Sequence, residues 1–237
     1  MSWLHELFNR HRFRLSFWRA ARRSTIILSA GMPRSGSTWL FNAARLLLQA
    51  HGDTSSGWIG DWASLPRKPV MLIKVHDYDP FLARHARVIL YSYRDIRDAL
   101  ASSKRMFHTE PTLALARHWL DCDRRWREQA TFTLRYESMM VDPSRSIAAL
   151  ARTLHLPGVD PKQVHRQLAQ LDYRPDRTEP GTYDHKTLLH PNHITDGRHG
   201  AWVGWLNPTL LHQLEDECAD WLADNGYPIE SPAPLAV

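Results

Sequence analysis

Cysteine is scarce in this chain of 237 residues, which contains only Cys122 and Cys218. Two isolated cysteines exclude a network of disulfide bonds and a CxxC metal or redox motif, so we expect a reducing compartment. The sequence also lacks an apolar run of the roughly 20 residues that span a bilayer. Arginines interrupt every apolar stretch near the N-terminus, so we expect no secretory signal and a cytoplasmic location.

The chain has no net positive charge outside one short segment. The 30 lysines and arginines exceed the 25 aspartates and glutamates by five, and residues 1–24, here called the arm, hold the whole excess. The arm has six arginines and a single acidic residue, Glu6. Because the rest of the chain is electrically neutral, we expect no nucleic-acid partner.

Aromatic and leucine side chains interleave with the arginines of the arm. This pattern is typical of a helix whose apolar side packs on its own domain, the interpretation that we favour. It also fits a basic amphipathic segment on anionic lipid, which would place residues 1–24 peripherally at the inner membrane surface. We predict the arm, a single domain over 25–227 and a C-terminal tail over 228–237; the sequence predicts no oligomeric state.

Short apolar runs alternate with longer helical patterns after the arm. Four runs have the apolar or β-branched content of buried strands: residues 25–30, 70–75, 88–93 and 131–136. Helical patterns cover about 95–105 and 112–129. An Asp or Asn followed by Pro predicts three later helix starts, at 142–143, 160–161 and 207–208. The sequence therefore predicts an α/β fold, with a mostly parallel central β-sheet flanked by helices.

The first predicted strand runs into a glycine-containing loop and then into a helix. This order presents backbone N–H groups and the positive end of a helix dipole to an anion. Gly31 and Gly36 have the spacing of the nucleotide P-loop, GxxxxGK[ST], but Ser37 occupies the position of its lysine. The cation of the loop is Arg34. An ATP-dependent small-molecule kinase with a degenerate P-loop is thus an alternative function, and the missing lysine argues against it.

Residues 33–39, Pro-Arg-Ser-Gly-Ser-Thr-Trp, resemble the 5′-phosphosulfate loop of the sulfotransferases that use 3′-phosphoadenosine 5′-phosphosulfate (PAPS). The resemblance implies the P-loop NTPase-like sulfotransferase fold, PAPS as cofactor and no metal. It assigns Trp39 to the purine, and the phosphosulfate to five loop residues: Arg34, Ser35, Gly36, Ser37 and Thr38. Backbone amides and one cation suffice for a sulfuryl group, which bears less charge than a terminal phosphoryl group.

A second match follows the predicted strand at 88–93. Arg94 and, eight residues on, Ser102 resemble the family's 3′-phosphate motif, and a guanidinium with a hydroxyl suits a phosphate monoester. Weaker matches assign Tyr136 to the adenine and Arg198 and Gly200 to an element that closes over the 3′-phosphate. Here the chain departs from the family, because Thr195 and Asp196 stand where cytosolic members have an Arg-Lys pair. A surface pair of Arg94 with Asp98 is the alternative interpretation of this arginine.

The strand at 70–75 carries a candidate base and a candidate cation. Lys74 and His76 resemble the family's Lys-x-His element, in which the histidine is the base and the lysine contacts the transferring group. Alternation along a strand places both side chains on one face, and an imidazole can take a hydroxyl proton near neutral pH. The predicted catalytic set is therefore His76, Lys74 and Arg34. Asp77 and Asp79 remain rival bases.

The predicted function is transfer of a sulfuryl group from PAPS to a hydroxyl of a small-molecule or glycan acceptor. A peptide acceptor is the less favoured alternative. The walls of the acceptor site are expected in four segments, which include Trp58 and Trp62: residues 52–66, 77–81, 104–112 and 173–195. Besides the kinase, a membrane-recruited nucleotide-binding protein without catalytic activity remains an alternative, on the evidence of the arm.

Overall fold

A twisted sheet of parallel strands lies at the centre of the structure. The computed structural model describes residues 3–173, 183–191 and 200–229, with side chains from Arg10 onward. Five strands form the sheet in the order β2-β3-β1-β4-β5, and every neighbouring pair is parallel. Their bounds are β1 Thr25–Ser29, β2 Thr54–Trp58, β3 Val70–Lys74, β4 Val88–Tyr93 and β5 Phe132–Arg135. The predicted α/β class with a parallel sheet is confirmed.

Helices cover both faces of this sheet. The first five are α1 Trp3–Ala21, α2 Ser37–His51, α3 Pro80–His85, α4 Ile96–Phe107 and α5 Leu113–Arg127. The next five are α6 Tyr136–Val141, α7 Pro143–Thr153, α8 Pro161–Ala169, α9 Pro208–Glu217 and α10 Ala219–Asp224, and a short 3₁₀ turn spans Ile59–Asp61. In the described residues no helix combines the length and the apolar character that crossing a membrane requires.

The three helix starts predicted from an Asp or Asn before Pro are confirmed. Asp142, Asp160 and Asn207 each accept a hydrogen bond from a backbone amide of the first turn of α7, α8 and α9. Pro occupies the first helical position each time, where its missing N–H removes no intrahelical bond. These short side chains satisfy amides that a helix start leaves without a partner.

The sheet buries apolar side chains on both faces because its strands alternate between two cores. Ile27, Leu72 and Leu90 point to the face covered by α2 and α7. Ile26, Met71 and Ile73 point to the opposite face, where α1 and α3 pack. Continuous apolar runs are what strands covered on both faces require. Because helices cover both faces, we expect ligands to bind at the carboxyl ends of the strands.

The arm forms α1, and one side of that helix packs on the domain. Phe17 is fully buried, with its ring 4.8 Å from Trp62 and 6.0 Å from Phe81 between centroids. Ala20 is buried beside it, whereas Leu15 and Trp18 are exposed on the other side. The apolar side of the arm therefore contributes to the core of its own domain, as the favoured interpretation of its sequence requires.

Two elements differ from the sequence prediction. Strand β2 was not predicted, because its sequence, Thr-Ser-Ser-Gly-Trp, is polar and belongs to an edge strand with alternating burial. The strand predicted over 131–136 is shorter, since Tyr136 already begins α6. Tyr136 thereby stands at the carboxyl end of β5.

Candidate active site

The loop between β1 and α2 turns sharply at the carboxyl edge of the sheet. Arg34 and Gly36 both have left-handed backbone conformations, with φ of 65° and 78°. This conformation is natural for Gly36 and strained for an arginine. At Gly31 a Cβ atom would lie 2.5 Å from Ser92 Oγ, so the loop can approach β4 only through glycine. The turn directs the Arg34 side chain to the cavity described below.

Ser35 anchors this loop from beneath. Its hydroxyl lies 2.6 Å from Met32 O, 3.0 Å from Ser92 O and 2.8 Å from Ser92 Oγ, and the residue is fully buried. The amide of Met32 also donates to Ser92 O. Ser35 therefore fixes the loop to β4, and its side chain does not line the cavity.

The first turn of α2 presents its amides to the same side. The first intrahelical bond runs from Leu40 N to Gly36 O, and Gly36 makes no side-chain cap. The amides of Ser37, Thr38 and Trp39 therefore precede the hydrogen-bonded ladder of a 15-residue helix. Their dipoles and the helix dipole attract an anion at this point.

Lys74 ends β3 directly opposite this turn. Its ammonium donates a hydrogen bond of 2.5 Å to Thr38 Oγ1, and the side chain is buried. Burial, followed by the positive charge of Arg34, lowers the pKa of Lys74 to about 7. Such a group gains charge readily when an anion arrives, because the anion compensates for the lost solvation.

His76 follows two residues later on the same side of the chain. Its Nδ1 lies 2.7 Å from the carbonyl oxygen of Gly31, which can only accept, so Nδ1 carries the proton and Nε2 has a lone pair. Burial, then the charge of Lys74, lowers the pKa of His76 to about 4, which favours the neutral ring. The ring lies 5.5 Å from that of Trp58. The tautomer is the one that a general base requires.

The arginine and the serine of the second motif meet the loop. Arg34 Nε donates to Ser102 Oγ at 3.0 Å, which joins the two motifs across the cavity. Arg94 lies 4.2 Å above the Tyr136 ring and 3.6 Å from Asp98 Oδ2. The pairing of Arg94 with Asp98, which was the alternative interpretation of this arginine, is present, but both side chains are buried and the pair does not lie on the surface. Burial and then the charge of Arg94 lower the pKa of Arg34.

These groups surround one cavity of about 340 Å³, within the size range of small-ligand sites. Of the described residues, those lining it include three cations and no carboxylate. The predicted site residues among them are Arg34, Gly36, Ser37, Thr38, Trp39, Lys74, His76, Arg94, Ser102 and Tyr136. The structure thus brings ten predicted residues from seven elements or loops to one place.

The similarity of this chain to known proteins is one of fold. No protein-family model and no curated protein matches the sequence. Among solved structures, mouse sulfotransferase SULT7A1 complexed with 3′-phosphoadenosine 5′-phosphate (PAP) aligns at a TM-score of 0.62 and 14% identity, over 85% of each chain. The chain has the sulfotransferase fold. The predicted fold is thereby confirmed.

Two structures of retinol dehydratase share the sulfotransferase fold with this chain. The one in complex with retinol and PAP has a TM-score of 0.56 at 14% identity, over 89% of this chain and 84% of the other. The one with androsterone and the inactive cofactor PAP has a TM-score of 0.53 at 14% identity, over 95% and 88%. At this identity the likeness is one of fold.

Some predicted residues lie elsewhere in this sulfotransferase fold. The amide of Gly200 donates to Asp98 Oδ2 at 2.7 Å, so Gly200 holds the carboxylate behind Arg94 and does not line the cavity. Arg198, with Thr195 and Asp196, lies outside the described residues. Trp62, predicted as an acceptor wall, packs beneath α1 and donates to Ser16 Oγ.

The rival bases are also placed away from the cavity. Asp77 is exposed and lies 2.9 Å from His118 Nε2. Asp79 caps α3, accepting from the amide of Phe81 at 2.7 Å. Neither lines the cavity, whereas His76 does. The geometry therefore favours His76 among the three candidates.

The cavity lining also contains residues that were not named individually from the sequence. Phe107, Leu189 and His190 fall in the segments 104–112 and 173–195, which were predicted as acceptor walls, whereas Asn42, Met139, Met140, Leu168 and Leu171 were not predicted. Asn42 lies one turn into α2 and donates to Thr38 O and Thr187 O. His190 lines the cavity, and burial followed by the charge of Lys74 lowers its pKa. The apolar part of the lining comprises Phe107, Met139, Met140, Leu168, Leu171 and Leu189. The position of Asn42, one turn along the helix from Thr38, is the signal that could have found it.

Proposed function

We propose that this chain is a PAPS-dependent sulfotransferase, which transfers a sulfuryl group from PAPS to a hydroxyl of a small-molecule or glycan acceptor. One observation carries the proposal. The imidazole of His76, with Nε2 unprotonated, shares a single cavity with Lys74, Arg34 and the open amides of α2. A base beside an anion site is the arrangement that group transfer to a hydroxyl requires.

The donor set of the cavity fits the two anionic ends of PAPS. Arg34, Lys74, Thr38 and the first amides of α2 would hold the 5′-phosphosulfate, and Arg94 with Ser102 would hold the 3′-phosphate. Trp39 and Tyr136 provide aromatic faces for the adenine between them. Three cations without a lining carboxylate match the negative charge of such a ligand.

When bound, PAPS would supply the sulfuryl group, and PAP would be the leaving group. His76 takes the acceptor's hydroxyl proton at Nε2, while its Nδ1 proton stays with Gly31 O and holds the ring in place. Lys74 and Arg34 would stabilise the negative charge that develops on the leaving phosphate.

The apolar lining supports a small-molecule acceptor. Phe107 and Leu189 line the same cavity as His76, and Trp58 lies beside the imidazole. Retinol and androsterone, named in the two retinol dehydratase structures, are small molecules of this apolar kind. Apolar walls with few polar groups are typical of sites for such ligands.

Calorimetry with PAP and ATP tests the nucleotide assignment. We expect tight binding of PAP and weak binding of ATP, because the loop lacks the P-loop lysine and Arg94 with Ser102 addresses a 3′-phosphate. Equal affinities, or Mg²⁺-dependent turnover of ATP, would contradict the proposal and favour the kinase. Transfer of radiolabelled sulfate from PAPS into a cell extract, followed by identification of the product, then finds the acceptor.

A matched pair of variants sharpens this test. Arg94→Met is expected to weaken PAP binding about 10–100-fold, the loss of a charge-assisted contact, while the affinity for AMP, which has no 3′-phosphate, changes little. Arg87→Met removes an exposed arginine just before β4 and should leave both affinities unchanged. If Arg94→Met weakens PAP and AMP equally, Arg94 does not read the 3′-phosphate.

A further inference from the structure

Three side chains that ligate metals meet on the surface, outside the cavity described above. His118 and Cys122 lie on α5, and Asp77 follows β3. One ligand atom from each lies within 4.8 Å of the others, and Asp77 Oδ1 is 2.9 Å from His118 Nε2. We call this group the 77/118/122 cluster. No residue of the cluster lines the candidate active site.

The spacing on α5 brings two of the ligands together. His118 and Cys122 are four residues apart, so both project from the same side of the helix. In a tetrahedral site with bonds of about 2.0–2.3 Å, neighbouring ligand atoms are about 3–4 Å apart. The ligand atoms of the cluster lie within 4.8 Å of one another, so a small rotation of the side chains would bring them to these tetrahedral distances.

The third ligand is held against this helix by a separate contact. Trp126 Nε1 donates to the carbonyl oxygen of His76 at 2.9 Å, one residue before Asp77. Trp126 is fully buried on α5, and its ring packs edge-on against Tyr78 at 5.0 Å. The chain is therefore tied to α5 on both sides of Asp77. This attachment makes the juxtaposition a property of the fold and not of one flexible side chain.

The surroundings leave the cluster open to an ion. The side chains of Asp77 and His118 are 83% and 53% exposed, while Cys122 is half-buried beneath them. The neighbouring Arg124 and Arg125 share Asp121 at 2.7 and 3.0 Å, so this carboxylate compensates one of their two positive charges. A metal can approach from solvent and keep a water as its fourth ligand.

We propose that Asp77, His118 and Cys122 bind a divalent transition-metal ion of the zinc class. A thiolate, an imidazole and a carboxylate form a mixed S, N, O set that suits Zn²⁺ or Co²⁺, whereas Ca²⁺ and Mg²⁺ prefer oxygen ligands alone. The site is separate from the cavity of the sulfuryl-transfer proposal, and an experiment that contradicts one proposal does not contradict the other.

Cobalt titration of the full chain, freed of metals with a chelator, tests this site. Bound at Cys122, Co²⁺ gives a near-ultraviolet thiolate-to-cobalt charge-transfer band that saturates at one ion per chain, and added Zn²⁺ abolishes it. Cys122→Ser should remove the band, and His118→Gln or Asp77→Asn should weaken binding at least about tenfold. Absence of the band in the wild-type chain would overturn the proposal.

Two controls separate this site from other ligands. Asp121→Asn removes an adjacent carboxylate on the same helix that lies outside the cluster, and Cys218→Ala removes the other cysteine. Both variants should retain the band and its stoichiometry. A band that persists in Cys122→Ser, or disappears in Cys218→Ala while that variant stays folded by circular dichroism, would overturn the assignment.

Thermal unfolding supplies a readout that needs no cobalt. Zn²⁺ should raise the melting temperature of the wild-type chain, because a ligand that binds only the folded state stabilises it. The shift should vanish in His118→Gln and persist in Asp121→Asn. An equal shift in all three proteins would show that Zn²⁺ acts elsewhere, and would contradict the proposal.

Discussion

The arm and the cavity both contain arginines, but most of those of the arm are exposed to water whereas the cations of the cavity are largely buried. Arg19 and Arg23 of the arm are exposed to water. Arg94 and Lys74 are almost fully buried, and the charge of Arg34 is partly desolvated beside them. The arm holds the whole net charge of the chain, whereas the cavity is lined by cations that the fold has largely removed from water.

The two sets of cations differ in the free energy that their placement costs. An exposed arginine keeps its hydration, so its placement costs little and is screened by salt. A buried cation loses hydration unless a partner or an incoming anion compensates for it. Arg94 has Asp98 as such a partner, and among the described residues the hydrogen-bond acceptor of Lys74 is the neutral hydroxyl of Thr38. The position of the net charge, in residues 1–24, therefore does not indicate where the candidate active site lies.

The largest expected effect concerns the cavity alone. We expect His76→Ala to lower kcat for sulfuryl transfer by about 10²–10⁴-fold, the usual contribution of general acid–base catalysis. PAP affinity, measured by calorimetry, should change little, since the cations and amides remain. Retained transfer in this variant would exclude His76 as the base and return attention to Asp77.

The next effect belongs to the buried side of the arm. Phe17→Ala should lower the free energy of unfolding by about 3–5 kcal/mol, because it opens a cavity between Trp62 and Phe81. Urea denaturation measures this change. Leu15→Ala, on the exposed side of the same helix, should cost less than about 0.5 kcal/mol. Equal costs would mean that α1 does not pack as described.

A smaller effect is the pH dependence of PAP binding. With its pKa lowered to about 7, Lys74 is increasingly neutral above that pH, and an anionic ligand binds its charged form better. Binding then requires proton uptake, so the Kd for PAP should rise with pH between 7 and 9, by up to about tenfold per unit. Calorimetry in buffers of different ionisation enthalpy detects the proton.

Lys74→Arg supplies the control for this pH dependence. A guanidinium stays charged throughout the range, so the variant should show a flatter profile even if its affinity is lower. Phosphate groups titrate near pH 6, below the window. A flat profile in the wild-type chain would contradict the buried, partly neutral lysine.

The smallest effect is expected at the exposed arginines. Arg19→Gln together with Arg23→Gln should change the free energy of unfolding by no more than about 0.5 kcal/mol and PAP affinity by no more than about twofold. Thermal melts and calorimetry check both values. A large loss of PAP affinity would show that the charge of the arm acts on the cavity after all.

The sequence was sufficient for the parts of the fold that depend on local order along the chain. Strand β1, the loop and α2 follow one another without a gap, and the polar cap before Pro161 marks a helix start by itself. The edge strand β2 could not be found this way. Its residues Thr54–Trp58 are polar, and only pairing with β3 makes them a strand.

The candidate site shows the same division. Arg34, Lys74 and His76 could be named because they lie in short motifs that resemble those of the sulfotransferases, each at the end of a predicted strand or in the loop after it. The roles of Ser35 and Gly200 could not, since a list of residues does not say which side of the loop a hydroxyl faces or which carboxylate an amide meets. His118 and Cys122 have a helical spacing that the sequence displays, but Asp77 joins them only in the fold.

The left-handed backbone of Arg34 has a consequence for directed evolution. An arginine in this conformation costs on the order of 1 kcal/mol relative to glycine, and its charge also lies close to Arg94. In a library screened only for heat resistance we expect glycine or asparagine to be favoured at this position, because either residue would relieve the backbone strain and the repulsion from Arg94, although the contacts of the arginine, including its bond to Ser102, would be lost. Enrichment of Arg34 would appear only when survivors are sorted by turnover.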